Sequence, residues 1–181
     1  MKKYLALLII LFTAGSVFAS DYRIELKMSC FNPQEQVFKD IYGSGSMCGI
    51  KAEKSRVYKK FGIIVEAGYF EKKGKLTFTK EDTTVKITFL GPGIIYQLTK
   101  GRFDLYGGAG FRYYYFEERN PIGHAQKGGV GYFLSVGTYI HITKKFYADV
   151  SVNYSGCQVK PADLKVEIGG IEAGIGLAYK F

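Results

Sequence analysis

The chain has 181 residues, with 25 Lys and Arg against 16 Asp and Glu for a formal net charge of +9. It holds 23 Gly, 15 Tyr and 14 Phe but only 4 Pro and no Trp. The length suits one domain, and the Gly-aromatic balance favours an all-β barrel or sandwich. No nucleic-acid-binding module is visible, so the positive charge is not read as a nucleic-acid footprint.

The first element is an export signal. Lys2 and Lys3 give a positive start, Tyr4 to Phe12 is an almost unbroken apolar run, and Val17-Phe18-Ala19 fits a small-x-small cleavage site. Cleavage after Ala19 divides the chain into a signal peptide, 1–19, and a mature domain, 20–181. The run falls short of the ~20 apolar residues of a transmembrane helix. No cysteine follows the cut, which argues against lipoprotein processing. Loss of Lys2 and Lys3 leaves the mature chain at +7. That charge suits anionic lipid headgroups or lipid phosphates, or simply solubilises loops and turns.

Eight segments of period-two alternation follow, each near the ~9–11 residues of a transmembrane strand. The first, about Tyr22 to Met28, turns Tyr22, Ile24, Leu26 and Met28 one way and Arg23, Glu25 and Lys27 the other. The second, about Gly43 to Lys54, sets Cys48, Ile50 and Ala52 against Gly45, Met47, Gly49, Lys51 and Glu53. The third, Phe61 to Glu71, sets Phe61, Ile63, Val65, Ala67 and Tyr69 against Gly62, Glu66 and Gly68. The fourth, Val85 to Leu98, is irregular. Val85, Ile87 and Phe89 share one parity and Leu90, Ile94, Tyr96 and Leu98 the other. A bulge near Gly91-Pro92-Gly93 is expected to switch the faces.

The fifth, Phe103 to Glu117, sets Phe103, Leu105, Ala109, Phe111, Tyr113 and Tyr115 against Asp104, Gly108, Gly110 and Arg112. The sixth, Gly129 to Ile142, sets Val130, Tyr132, Leu134, Val136, Ile140 and Ile142 against Gly131, Ser135, Gly137 and His141. The seventh, Phe146 to Cys157, sets Phe146, Ala148, Val150, Val152 and Tyr154 against Asp149, Ser151, Asn153 and Ser155. The eighth, Ile171 to Phe181, alternates without a miss. Ile171, Ala173, Ile175, Leu177, Tyr179 and Phe181 oppose Gly170, Glu172, Gly174, Gly176, Ala178 and Lys180.

The second face in each pair is small or charged, which is wrong for a water-facing strand and right for a crowded lumen. The apolar face then meets lipid. A soluble ligand-binding barrel would reverse that polarity. Connections alternate: Ser55 to Lys60, Thr99 to Arg102 and Thr143 to Lys145 are short. Ser29 to Tyr42, Lys72 to Thr84, Glu118 to Gly128 and Gln158 to Glu167 are long. Short periplasmic turns and long outer loops put both termini in the periplasm. Aromatics at strand ends (Tyr22, Phe61, Tyr69, Phe103, Tyr115, Phe146, Tyr154 and Phe181) supply two interfacial girdles. Leu76 and Phe78, alternating with Thr77 and Thr79, suggest that strands three and four run on past the membrane.

The signal, the eight segments, the alternating connections, Leu105-Tyr106-Gly107-Gly108-Ala109-Gly110 and the terminal Tyr179-x-Phe181 resemble the small OmpA/OmpX-type and opacity-like outer-membrane barrels. The resemblance implies an eight-stranded antiparallel up-and-down transmembrane β-barrel in the bacterial outer membrane. It also implies insertion by the barrel assembly machinery, with Leu177, Tyr179 and Phe181 as the C-terminal assembly signal. It implies no single activity.

The lumen is expected to hold Arg23, Glu25, Lys27, Lys51, Glu53, Glu66, Asp104, Arg112, His141, Asp149, Glu172 and Lys180 as a polar network. Lys or Arg facing lipid at the midplane costs ~2–4 kcal/mol. The lipid A deacylase, which resembles this fold, uses a His-x-Ser element beside a carboxylate. Here His141 is followed by Ile142-Thr143 and His124 by Ala125-Gln126, so neither reproduces it. No cofactor is expected, and two unpatterned histidines make no metal site. Among Cys30, Cys48 and Cys157, three free thiols are expected, with a Cys30–Cys157 bridge as the alternative. The leading functional expectation is a non-enzymatic barrel with a structural, adhesive or surface-interaction role through its outer loops, its surface ligand unnamed. A narrow channel or carrier for small solutes or lipids comes second, and a lipid-modifying enzyme third.

Overall fold

The computed structural model describes residues 21–76, 80–121, 123–159 and 166–181. The expected signal peptide, and Thr77 to Thr79, lie outside them. The strands are β1 Tyr22–Pro33, β2 Gly45–Tyr58, β3 Phe61–Lys75, β4 Asp82–Lys100, β5 Phe103–Asn120, β6 Gly123–His141 and β7 Phe146–Gly156. A two-residue pair follows, β8 Gln158–Val159 and β9 Val166–Glu167, and then β10 Gly170–Lys180. One short helix, α1 Gln36–Tyr42, lies between β1 and β2. Each long strand pairs antiparallel with its chain neighbour, and β10 closes on β1 from Arg23↔Lys180 to Pro33↔Gly170. The result is a closed eight-stranded barrel, with β8 and β9 forming a separate ladder above β7 and β10.

Closure follows from the alternation. Leu26, Phe111, Val130 and Ile175 each keep about two thirds of their surface open on the outer wall, whereas Glu25, Arg112, Ser151 and Glu172 are buried inside. The lumen also takes large apolar residues on the inward parity, among them Ile64, Ile95, Phe133 and Tyr139. An interior of this width is filled by side chains. Rim aromatics pair across strands, Phe61 with Tyr96 and Phe146 with Tyr179, both at a centroid distance of 5.1 Å, and Tyr179 also meets Phe181 of its own segment at 5.0 Å.

Four expectations need correction. First, β4 has no face-switching bulge. Its register with β3 is continuous from Phe61↔Tyr96 to Lys75↔Asp82, and pairs with β5 keep one register on both sides of Pro92. Val85, Ile87 and Phe89 point inward because the outer third of the lumen is apolar. Second, Glu118 to Gly128 is not a loop but the end of a β5–β6 hairpin paired out to Asn120↔Gly123. Third, β2 runs on to Tyr58, so its turn shrinks to Lys59-Lys60. Fourth, the first outer connection carries a helix, with Phe38 and Tyr42 one turn apart and buried. Gly43, at φ +64°, ends that helix by donating its N–H to the Lys39 carbonyl at 2.8 Å.

All three cysteines are free. Cys30 is exposed on the outer wall while Cys157 is buried in an apolar cluster with Phe38, Tyr42 and Val159, so the wall separates the two thiols.

Gly91 marks the closest strand approach. A Cβ there would lie 2.0 Å from the Phe111 carbonyl oxygen and 2.7 Å from Arg112 Cα, both backbone atoms that cannot step aside. Pro92 beside it supplies no N–H to the ladder. Gly91→Ala is expected to push β4 from β5 and lower the urea-unfolding free energy in lipid by about 1–3 kcal/mol. Gly123→Ala, with nothing within 4 Å of the added atom, serves as the control and should be near neutral. Equal effects at the two sites would contradict this packing.

Candidate functional site

Alternation brings the inward residues of all eight strands into three layers along the barrel axis. The layer nearest the short turns centres on Arg23. Its guanidinium is 3.3 Å from Asp104 and 3.7 Å from Glu53, and its Cζ lies 3.8 and 4.6 Å from the ring centroids of Tyr139 and Tyr147. Lys51 stands above it, 2.8 Å from Glu25, with the Tyr106 and Tyr139 rings at 4.8 and 5.1 Å. The middle layer centres on Arg112. It donates to Glu66 at 2.7 Å and Glu172 at 2.6 Å, with Phe89 and Phe133 at 4.1 and 4.7 Å.

Each of these buried cations is thus boxed by carboxylate and by two aromatic rings. The box replaces the hydration that the lumen denies it.

Hydroxyl and amide groups supply further hydrogen bonds to the carboxylates of the lumen. Tyr106 donates to Asp149 at 2.8 Å, as does Ser151. Gln97 donates to Glu53 at 2.6 Å, and Ser55 bonds the same carboxylate. The Tyr139 hydroxyl lies 2.9 Å from Glu25 and 3.1 Å from Glu53. Asn153 donates to Glu172 at 3.2 Å. A cavity of about 30 Å³ is bordered by Lys27, Lys51, Glu66, Arg112, Asn153 and Glu172. It has room for a water or two beside otherwise crowded polar atoms.

The outer layer is apolar. Phe31, Met47, Phe70, Val85, Ile87 and Phe116 meet Phe38 and Tyr42 of α1, with Cys157, Val159 and Ile168 closing the side. Tyr42 bonds Thr83 through its hydroxyl at 2.9 Å. Glu35 accepts the Glu167 N–H at 2.6 Å, tying α1 to β9. The lumen is therefore plugged at its outer end by packed rings and aliphatics.

Of the residues singled out in the sequence, Arg23, Glu25, Lys51, Glu53, Glu66, Asp104, Arg112, Asp149 and Glu172 are buried in these layers. Lys27 is half-buried beside the cavity. Lys180 stands apart at the rim, 2.9 Å from Asp21, and its hydrogen bond holds the Asp21 carboxyl below its usual pKa. His141 lies 3.0 Å from Asp104 and edge-on to Tyr147. This imidazole–carboxylate pair was invisible in the sequence, where the two lie 37 positions apart. Among the described residues no hydroxyl or thiol is hydrogen-bonded to that imidazole. The sequence reading also missed Tyr106, Tyr114 and Tyr139. Their signal was parity: each shares the inward phase of a neighbouring Asp, Arg or His. Leu177 is exposed on the outer wall, and Tyr179 packs between Phe146 and Phe181.

Arg112→Leu would strand Glu66 and Glu172 together in the lumen. Urea unfolding in lipid vesicles should show a loss of about 3–5 kcal/mol. The triple variant Arg112→Leu/Glu66→Gln/Glu172→Gln should recover most of it. A single variant as stable as the parent would refute the boxed-cation account.

The comparisons agree with this architecture. Residues 4–181 match the family model described as outer membrane protein beta-barrel domain. Neisserial surface protein A is 13% identical, with 90% of this chain and 98% of that one covered at a TM-score of 0.66. The N-terminal β-barrel domain of Pseudomonas aeruginosa OprF is also 13% identical, with 88% and 97% covered at 0.57. Ail, the attachment invasion locus protein of Yersinia pestis, solved with the heparin analogue sucrose octasulfate, is 16% identical, with 87% and 95% covered at 0.54. Likeness at these identities is a likeness of fold. No curated protein matches the chain. With its closed eight-stranded wall, apolar outside and charged within, the chain belongs to the outer-membrane β-barrel domain family and resides in the bacterial outer membrane, in contact with its lipid.

Proposed function

We propose that this barrel is a non-enzymatic surface-interaction protein whose binding surface is the projecting tip of β3 to β6, and that its ligands are anionic saccharides. The observation that carries the reading is a pair of charged rows in register across four strands. The upper row runs Lys73↔Thr84↔Arg119↔His124, and the lower runs Glu71↔Lys86↔Glu117↔Gln126. Side chains two residues apart on a strand share a face, so both rows lie on the outer face of one sheet.

The lower row is paired within itself and to the row above, with Glu71 3.9 Å from Lys86 and Glu117 bound by Arg119 and His124 at 2.5 and 3.2 Å. The upper row presents Lys73 and the far side of Arg119 outward. The hairpin beneath is stiffened by Asn120 Oδ1, which accepts the Gly123 N–H at 2.8 Å. Two exposed cations, Lys73 and Arg119, held on a rigid sheet suit an anionic chain, since little side-chain order must be imposed on binding. Ail in complex with a sulfated saccharide is a precedent on this fold.

The apolar plug weighs against the channel reading, and the unaccompanied His141–Asp104 pair weighs against the enzyme reading. Leu177, Tyr179 and Phe181 serve as the signal read by the barrel assembly machinery.

Bacteria displaying the protein should adhere to heparin-coated surfaces and to host cells. Replacing Asn120 to His124 with a plain turn, or combining Lys73→Ser with Arg119→Ser, should cut adhesion at least about tenfold, the worth of one charge-assisted contact. Unchanged adhesion in correctly inserted variants would rule out the tip as the binding surface.

A further inference from the structure

The end of the barrel opposite the tip carries a charge pattern that surface interaction does not use. The end of β2 brings Lys54 and Arg56 to the rim, and the β2–β3 turn brings Lys59 and Lys60. The β4–β5 turn adds Lys100 and Arg102, and the β6–β7 turn adds Lys144 and Lys145; all eight are exposed. Lys180 makes a ninth cation, and Asp21 is the only acidic side chain among the described residues at this level. In the lumen, six carboxylates outnumber four Lys and Arg, so the positive excess of the mature chain is not there. The outer end mixes Lys and Arg with Glu and Asp in near balance. Almost the whole excess is concentrated on the periplasmic rim.

These cations stand at headgroup height. Lys54 Nζ lies 5.1 Å from the Tyr22 ring centroid, Lys59 Nζ 5.3 Å from that of Tyr58, and Lys145 Nζ donates to the Tyr179 hydroxyl at 3.2 Å. Tyrosines mark the membrane–water boundary, and lysines rising from them place their ammonium groups among lipid phosphates. The backbone adds an independent observation. Arg56 and Lys59 sit at φ +53° and +54°, the left-handed region where glycine or asparagine is favoured. The next turn meets the same demand with Gly101 at φ +63°. Cations thus occupy one strained position at the irregular end of β2, Arg56, and one in the β2–β3 turn, Lys59.

We propose that the periplasmic rim is a binding annulus for anionic phospholipid headgroups of the inner leaflet. The cations come from three turns and the C-terminal strand, and so surround the barrel. That distribution matches a ring of lipids rather than one docked polymer. The turns are too short to reach far from the bilayer, and attraction to a charged leaflet fades within a Debye length.

The test is spin-label EPR on the refolded barrel in phosphatidylcholine vesicles, comparing immobilisation of labelled phosphatidylglycerol with labelled phosphatidylcholine. The native barrel should prefer phosphatidylglycerol by about threefold or more at low salt, with the preference falling toward one in 1 M salt. Lys59→Gln/Lys60→Gln/Arg102→Gln/Lys145→Gln should abolish most of it. Lys144→Gln/Lys145→Gln, which spares the strained turn, should lower it in part, and outer-end Lys73→Gln/Lys75→Gln should leave it intact. A native preference near one, or rim variants that keep the full preference, would overturn the proposal. So would loss of the preference in the outer-end variant. Polyglutamate binding that depends on the rim, without any lipid preference, would assign the surface to a soluble polyanion instead.

Discussion

A closed barrel in hydrocarbon has two surfaces without bulk water, and they make opposite demands. The outside must be apolar because lipid offers no hydrogen bonds. The inside is too narrow for a water column, so every charge placed there needs its hydration replaced by neighbours. The boxing of Arg23, Lys51 and Arg112 meets the second demand in one repeated way. Carboxylate oxygens face part of each cation's N–H groups, and flat rings cover its faces. Rings that would otherwise compete for lipid, such as Phe89, Phe133 and Tyr139, sit inside for this reason.

The layers along the axis then divide the labour. Ion pairs near the short turns hold distant strands together, as Arg23 of β1 does with Asp104 of β5. Arg112 ties β5 to β3 and β10 at mid-height. Above it the packing is apolar, and α1 lowers Phe38 and Tyr42 into the mouth. A lumen filled this way leaves the two rims as the surfaces open to solutes and headgroups. The rims differ. The outer end is a stiff sheet with balanced, ordered charges, and the periplasmic end is a ring of nearly unopposed cations.

Much of this was legible because period two is a local signal. The inward and outward sets of β1, β2, β5, β7 and β10 can be read from the chain, since small or charged residues alternate with aliphatic ones there. The reading failed where the lumen itself becomes apolar. In β4 the inward Val85, Ile87 and Phe89 look like lipid-facing residues, so a continuous strand was mistaken for a bulged one. Helix α1 was missed because its two buried anchors lie within a polar segment and make sense only above an open barrel mouth. Parity gives the direction of an inward residue but not its partner. Alternation says which way Arg112 points, and nothing in it says that Glu66 and Glu172, 46 and 60 residues away, will meet it.

The central claim is the inversion of polarity, with aliphatic side chains facing lipid and the ionised ones sealed inside. Refolding of the mature chain, read by comparing unboiled and boiled samples on a gel, tests it most directly. The account predicts a compact, heat-modifiable species that forms only when detergent or lipid is present. A stable, monodisperse folded protein in detergent-free buffer would contradict it.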